Sequence, residues 1–369
     1  MIRRLMKSVR EYKRPTVLTL IFIVGEAVIE TFIPFITANL VNRIKAGADM
    51  SYILETGGVL ALMACASLAC GGLAGFTCAK ASAGFAKNLR GDIFRRVQTY
   101  TFENIDKFSS SSLVTRMTTD VANAQMSYMM VIRTAIRSPL MLIFSVVMAY
   151  VMGGALATAF VVVIPVLAFG LLLISRKAMP AFRSVFRKYD RLNESVEENV
   201  RAMRVVKGFS REEYEKKKFG AASEDIRKDF THAERIVALN APLMQFCLNF
   251  NMVFVLIVGS KMTITSGGTL VDVGQISAML TYGVQILMSL MMLSMIYVIL
   301  TMSSESFKRI GEVLGEEPAL RNPENPVFSV ADGSVDFDSV SFKYSKKAER
   351  DALENVDLHI PVSYTHLTL

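Results

Sequence analysis

Apolar and polar positions in this 369-residue chain are gathered into long blocks rather than interleaved. Residues 15–40 and 57–79 are apolar runs long enough to cross a bilayer, for which about 20 residues of helix suffice. Residues 138–175 hold no charged side chain and are too long for one crossing. Gly153 and Gly154 near their middle predict a tight turn between two spans, 138–153 and 155–175. Residues 242–260 form a fifth span and 275–303 a sixth, long enough to cross with a tilt. The pattern predicts an all-α polytopic membrane protein with six transmembrane helices, in a domain covering 15–305.

Two polar blocks between the spans predict helices as well. Residues 79–107 contain no proline and continue the second helix, projecting about 40 Å beyond the bilayer at 1.5 Å per residue. Ser109, Ser110, Ser111 and Ser112 predict a break, followed by a return helix over 113–136. The second block repeats the plan: helix over 176–207 with a bend at Pro180, a break near Gly208, and a return over 212–239. Two stiff hairpins of matching length, where most connections are short, imply contact with something beyond the membrane.

Charge sets the orientation. Of 41 Lys and Arg residues, 38 fall in segments 1–14, 80–137, 176–241 and 304–369, and only Arg43, Lys45 and Lys261 in the alternate loops. The positive-inside rule then puts both termini and both hairpins in the cytosol, with the protein in the cytoplasmic membrane. Ile2, Leu5, Met6 and Val9 share one helical face among Arg3, Arg4, Lys7 and Arg10, predicting an interfacial elbow helix over 1–14. The apolar run that follows is too long for a signal peptide and lacks a small-residue cleavage site.

Composition agrees: 52% of residues are hydrophobic and 20% charged, and mean hydropathy is +0.38. The net charge of +8 is explained by cytosolic loops, so no nucleic-acid partner is implied. Cys65, Cys70, Cys78 and Cys247 all lie in apolar stretches and read as small buried thiols packed between helices. With His232, His359 and His366 the only histidines, no metal site is expected.

Within the predicted spans the acidic residues are Glu26 and Glu30, i and i+4 on one face of the first helix. An intramembrane carboxylate marks a candidate substrate path, or else a polar contact to a neighbouring helix or an outer mouth. The sixth span carries Tyr282, Gln285, Met288, Met291, Met292 and Met295. Flexible methionines suit a wall that accepts varied apolar ligands, and equally suit plain packing. Gln245 and Asn249 on the fifth span read as interhelical hydrogen bonds.

Beyond residue 304 the composition turns soluble. Residues 306–333 read as a linker, with Glu316, Glu317, Pro318 and the run Asn322, Pro323, Glu324, Asn325, Pro326. Val335 and Phe337, then Val340, Phe342 and Tyr344, give a period-two strand with a slip near Ser339. Val356, Leu358 and Ile360 give a second. Residues 362–369 depart from this pattern, resemble read-through of a sequencing adapter, and are excluded from the fold reading as a non-native tail.

Three of these segments carry a family resemblance. Phe108-Ser-Ser-Ser-Ser-Leu-Val-Thr-Arg-Met-Thr-Thr-Asp-Val121 resembles the first intracellular loop of type I ABC exporters. Glu198-Asn-Val-Arg-Ala-Met-Arg-Val-Val-Lys-Gly-Phe-Ser-Arg-Glu-Glu-Tyr-Glu215 resembles their second, and Phe307-Lys-Arg-Ile-Gly-Glu-Val-Leu314 the segment leaving their sixth helix. The resemblance covers residues 1 to about 361. It implies coupling loops at Phe108, Ser109, Ser110, Ser111 and Ser112 and at Gly208, Phe209, Ser210, Arg211 and Glu212, fitting into nucleotide-binding domains. It also implies that residues 334–361 open an ABC ATPase domain, with Tyr344 stacking on the adenine of ATP.

Such a domain would use ATP and magnesium, but the phosphate-binding loop GxxxxGK[ST], the magnesium-binding acid, the signature loop and the catalytic glutamate do not occur in these residues. The chain as written is expected to be truncated early in that domain, to bind no cofactor and to have no ATPase activity. The resemblance implies an exporter half-transporter that pairs with a second one, identical or different, within membrane lipid. It would move hydrophobic or amphipathic, drug-like compounds by alternating access. A lipid, peptide or siderophore cargo fits the same fold. A scaffold or channel-like subunit without ATPase activity is the alternative from another class.

Overall fold

A computed structural model describes residues 5–318, 325–326, 328–329, 333–343 and 350–362. A short 3₁₀ segment, Met6–Tyr12, leads into α1 (Lys13–Lys45), followed by α2 (Met50–Gln98), α3 (Phe102–Phe108) and α4 (Ser110–Thr115). A π turn over Arg116–Asp120 opens α5 (Val121–Gly153), and a 3₁₀ turn over Gly154–Ala157 joins it to α6 (Thr158–Arg201). Then come α7 (Met203–Gly208), α8 (Glu212–Ala238), α9 (Asn240–Thr265) and α10 (Val273–Gly315), and two strands, β1 (Val335–Phe342) and β2 (Leu353–Ile360).

Among the described residues, five continuous helical runs are long and apolar enough to cross a membrane. One of them, Ser110–Arg201, is 92 residues long, several times what one crossing needs. Its neighbours show that it folds back. Along α5, Ser145 bonds Gln285 and Gly153 meets Met279, so α5 runs against α10. Along α6, Phe160 lies beside Gly283, and Leu167 and Leu171 pack in one cluster with Leu287, so α6 runs with α10. The chain reverses at Gly154, whose φ of +48° is a conformation that glycine adopts without a Cβ clash. Six crossings result.

The chain divides into two compact units. The larger holds residues 11–84 and 126–302. Its interior is lined by small residues, Ala27, Ala38, Ala74, Ala149 and Ala157, while Leu62, Leu68, Phe76, Ile257 and Ile264 stand exposed. Hydrocarbon is as apolar as leucine, so van der Waals packing holds such helices together, with Ile23, Phe160, Met279, Tyr282 and Leu287 filling the space between the small residues. Thr16, Thr19, Thr31 and Thr37 each turn the hydroxyl back to the carbonyl four residues earlier, satisfying it within α1. Interhelical bonds fix the register: Tyr282 Oη donates to the Thr31 carbonyl at 2.9 Å, and the Gly274 amide donates to Asn42 Oδ1 at 2.8 Å.

The smaller unit holds residues 1–10, 85–125 and 303–369. Here the N-terminal segment is seated on α2: Leu5 and Val9 are buried, Asn88 donates to the Ser8 carbonyl at 3.0 Å, and Ser8 donates to Asp92 at 2.7 Å. The expected elbow helix is thus a 3₁₀ segment bonded to protein, kinked at Arg10 with φ +39°. β1 and β2 pair antiparallel, and the register slips between Phe337 and Val340, where Ser339 has φ +49°. The Ser339 amide donates to Asp357 Oδ1 there, giving the bulged residue a partner.

Both hairpin tips break differently from the expectation. α2 ends at Gln98, not near residue 107, because a capping pair starts a new helix: Asn104 Oδ1 accepts the Thr101 amide at 3.1 Å. Of the four serines only Ser109 leaves the helix, with φ +52°, and its hydroxyl accepts the Ser112 amide. In the second tip the chain turns at Ala202 and again over Phe209–Arg211, where Ser210 has φ +50° and Gly208 is the last helical residue.

Candidate functional site

Glu26 and Glu30 point from α1 to one partner on α5. Arg137 Nη2 lies 2.6 Å from Glu30 and 3.4 Å from Glu26. The carboxylates are therefore not left alone in the span, and a guanidinium offsets one of their two charges. Reading Arg137 as the end of a cytosolic loop concealed this pair. Gly71 on α2 lets the arrangement form, since a Cβ there would sit 3.1 Å from Glu26 Oε1. Both carboxylates line an open groove of about 400 Å³ with Ile33, Ala64, Ser67 and the exposed Leu68.

The α10 residues divide. Tyr282 is fully buried with its hydroxyl committed to Thr31, and Gln285, half-buried, accepts from Ser145 Oγ at 3.0 Å. Met288, Met292 and Met295 stand exposed along one face, with Met291 beside them. Gln245 and Asn249 bond each other within α9 instead of bridging helices. Cys78 and Cys247 are buried as expected, whereas Cys65 is exposed.

The second hairpin is pinned along its length: Lys188 reaches Asp229 at 2.8 Å, and Phe182 meets Phe230 edge to face. At its tip Asn199 donates to Glu215 at 2.7 Å, and Lys207 pairs with Glu212 at 3.0 Å. The backbone N–H at Glu212 and the Lys207 ammonium hold the Glu212 carboxyl below its usual range. Val205 and Phe209 stay in the open, Phe209 at 76% exposure.

In the smaller unit the first tip is bound to the end of α10. Tyr100 Oη donates to the Val313 carbonyl at 2.7 Å, and its ring stacks on Phe108 at 5.8 Å. Burial and the Glu316 charge push the Tyr100 phenol up to about 12, so it stays a donor at neutral pH. Lys107 pairs with Glu316 at 2.8 Å. Arg116 lies over the Phe108 ring and donates to the Arg309 carbonyl at 2.9 Å. Asp120, fully buried, takes both arms of Arg309 and the Ser306 hydroxyl. Asp120 and Arg309 each lie inside a segment quoted above, yet nothing in spacing pairs residues so far apart in sequence. Tyr344 lies outside the described residues.

A helical bundle with six crossings, charged tips and a small terminal sheet defines a multi-pass membrane transport domain. Residues 16–303 match the ABC transporter transmembrane region, and the chain belongs to that family. It is 30% identical over 355 residues to the uncharacterized ABC transporter ATP-binding protein YfiB of Bacillus subtilis, covering 96% of this chain and 61% of YfiB. It is 28% identical to the uncharacterized ABC transporter ATP-binding protein MT1311 of Mycobacterium tuberculosis, covering 96% of this chain and 60% of that one. A fatty acid ABC transporter ATP-binding/permease protein of Mycobacterium bovis is 28% identical over 69% of this chain and 40% of its own length. The chain thus spans about three fifths of the first two relatives.

Proposed function

We propose that this chain is the transmembrane part of an ATP-driven exporter that moves amphipathic or hydrophobic compounds out across the cytoplasmic membrane. It works by alternating access, paired with a second half-transporter, with both termini in the cytosol. The observation that carries this reading is the second hairpin tip: a six-residue helix, Met203–Gly208, followed by the bare Phe209 ring on a braced stalk. An exposed aromatic on a rigid lever fits a groove on a partner domain and transmits that domain's closure. ATP and magnesium belong to that domain, where we assign adenine stacking to Tyr344.

The groove beside Glu26 and Glu30 favours cargo with a positive or zwitterionic head, because two carboxylates face it and one arginine offsets them. Met288, Met292 and Met295 supply an apolar, adaptable wall. A carboxylate-headed lipid is the second reading, motivated by the relative named for fatty acids.

The test is ATP-dependent uptake into inverted vesicles by a form carrying a complete ATP-binding domain, with a cationic dye, a neutral amphiphile and a fatty acid. Glu26→Gln, Glu30→Gln and Arg137→Gln together, which leave no lone charge in the cluster, should reduce dye uptake about tenfold and leave the neutral compound nearly unchanged. Equal loss of both would remove the pair from the substrate path. Fatty-acid uptake alone would favour the second reading, and absence of ATP hydrolysis would favour a scaffold.

A further inference from the structure

We propose that Asp120 and Arg309 form a positioning latch that makes the first cytosolic hairpin and the end of α10 move as one body during transport. The proposal rests on the ATP-driven reading above.

Asp120 is fully buried at the end of the π turn Arg116–Asp120. A buried carboxylate is tolerated only when paired and hydrogen-bonded. Here Arg309 Nε reaches Oδ2 at 2.7 Å, Arg309 Nη2 reaches Oδ1, and Ser306 donates to Oδ1 at 2.9 Å. Ser306 in turn accepts from Asn123 Nδ2 at 3.1 Å. At the other end of the π turn, Arg116 holds α10 by its backbone at the Arg309 carbonyl and by Glu312 at 3.2 Å. A π turn is a rare backbone form, found mostly where a helix has a task. This one carries both gripping residues.

Packing alone would not call for a two-pronged ion pair, since apolar residues of similar volume fill such a space at no desolvation cost. A guanidinium fork does what apolar packing cannot: it fixes direction and register. The two segments it joins are the tip of a coupling hairpin and the last helix before β1. A displacement arriving at the tip and one arriving along α10 must then agree. With the latch released, the tip could slip against α10, and movement in the ATP-binding domain would be lost before reaching α5.

The experiment uses a form with a complete ATP-binding domain, reconstituted in vesicles. The double variant Asp120→Asn with Arg309→Gln removes both charges and leaves neither uncompensated. We expect its ATP hydrolysis to stay within about twofold of the unmodified protein while transport per ATP falls at least tenfold. Arg309→Lys keeps the charge but loses the fork, and should fall between the two. If the double variant does not accumulate, Arg309→Lys carries the test by the same ratio. Unchanged transport per ATP overturns the latch. So does a parallel fall of hydrolysis and transport, which marks a purely structural role. An unmodified protein that hydrolyses and transports nothing overturns the proposed function instead.

Discussion

Arg137 donates to Glu30 at 2.6 Å and lies 3.4 Å from Glu26, joining α5 to α1 through one guanidinium and two carboxyl groups. Removing the arginine from such a cluster leaves both carboxyl groups without their cation in a poorly solvated place. Arg137→Gln should lower stability by about 1–3 kcal/mol, less than for a fully enclosed pair because the arginine is partly exposed. The triple change of Glu26, Glu30 and Arg137 to glutamine should recover most of that loss. Thermal unfolding in lipid nanodiscs compares the two, and a triple variant weaker than the single one would contradict the pairing.

Gly71 and Gly72 are adjacent in α2 yet should answer differently to substitution. A Cβ at position 71 meets the Glu26 carboxylate at 3.1 Å, whereas position 72 has nothing within 4 Å. Gly72→Ala should be neutral or gain up to about 1 kcal/mol in helix propensity. Gly71→Val should push Glu26 away from Arg137 and lower the unfolding midpoint by several degrees. Equal midpoints for the two would show that the close approach does not matter.

Acid should release the N-terminal segment. Burial would raise the Asp92 pKa, but the Ser8 hydroxyl, Arg95 and Arg10 outweigh it and hold the carboxyl below its ordinary range. A depressed carboxylate contributes stability above its unfolded pKa, near 3.9, that is lost as pH falls through the folded value. Protection against hydrogen exchange at residues 5–10, relative to the intrinsic rate at each pH, should therefore be high at pH 6 and fall below about pH 4. Asp92→Asn should weaken docking by about 1 kcal/mol at neutral pH and abolish that acid dependence. An unchanged pH profile in the variant would rule out Asp92 as the group responsible.

Orientation can be read with thiol reagents. In a background without Cys65, Cys70, Cys78 and Cys247, single cysteines at Lys45 and Lys261 should react with an impermeant reagent from outside. Cysteines at Lys107 and Arg211 should react only after permeabilisation. Outside labelling at Lys107 would invert the proposed orientation.

The apolar blocks made the spans legible, because hydrocarbon demands long uncharged runs and such runs are visible one residue at a time. The turn between the third and fourth spans was legible for the same reason, with two glycines in an otherwise helical stretch. The hairpin tips were only partly so. The Thr101 and Asn104 pair that starts α3 is a local signal within a proline-free run, but the bond from Tyr100 to Val313, more than 200 residues away, has no local counterpart. Arg137 pairs with Glu26 and Glu30 across more than 100 residues, a contact that no spacing in the sequence encodes. Tyr282 looked like a cavity residue, but the Thr31 carbonyl holds its hydroxyl within the core.

The reversal at Gly154–Ala157 uses four residues. On that face the chain offers a protease, an antibody or an engineer almost no backbone between α5 and α6. Of the other connections there, residues 46–49 are as short but residues 266–272 are longer, and Gly267 and Gly268 already adopt positive φ with open space around them. An epitope tag or fluorophore acceptor placed at Gly267–Gly268 has room to extend. The same insertion at Gly154 would have to prise apart two helices whose packing begins at the very next turn.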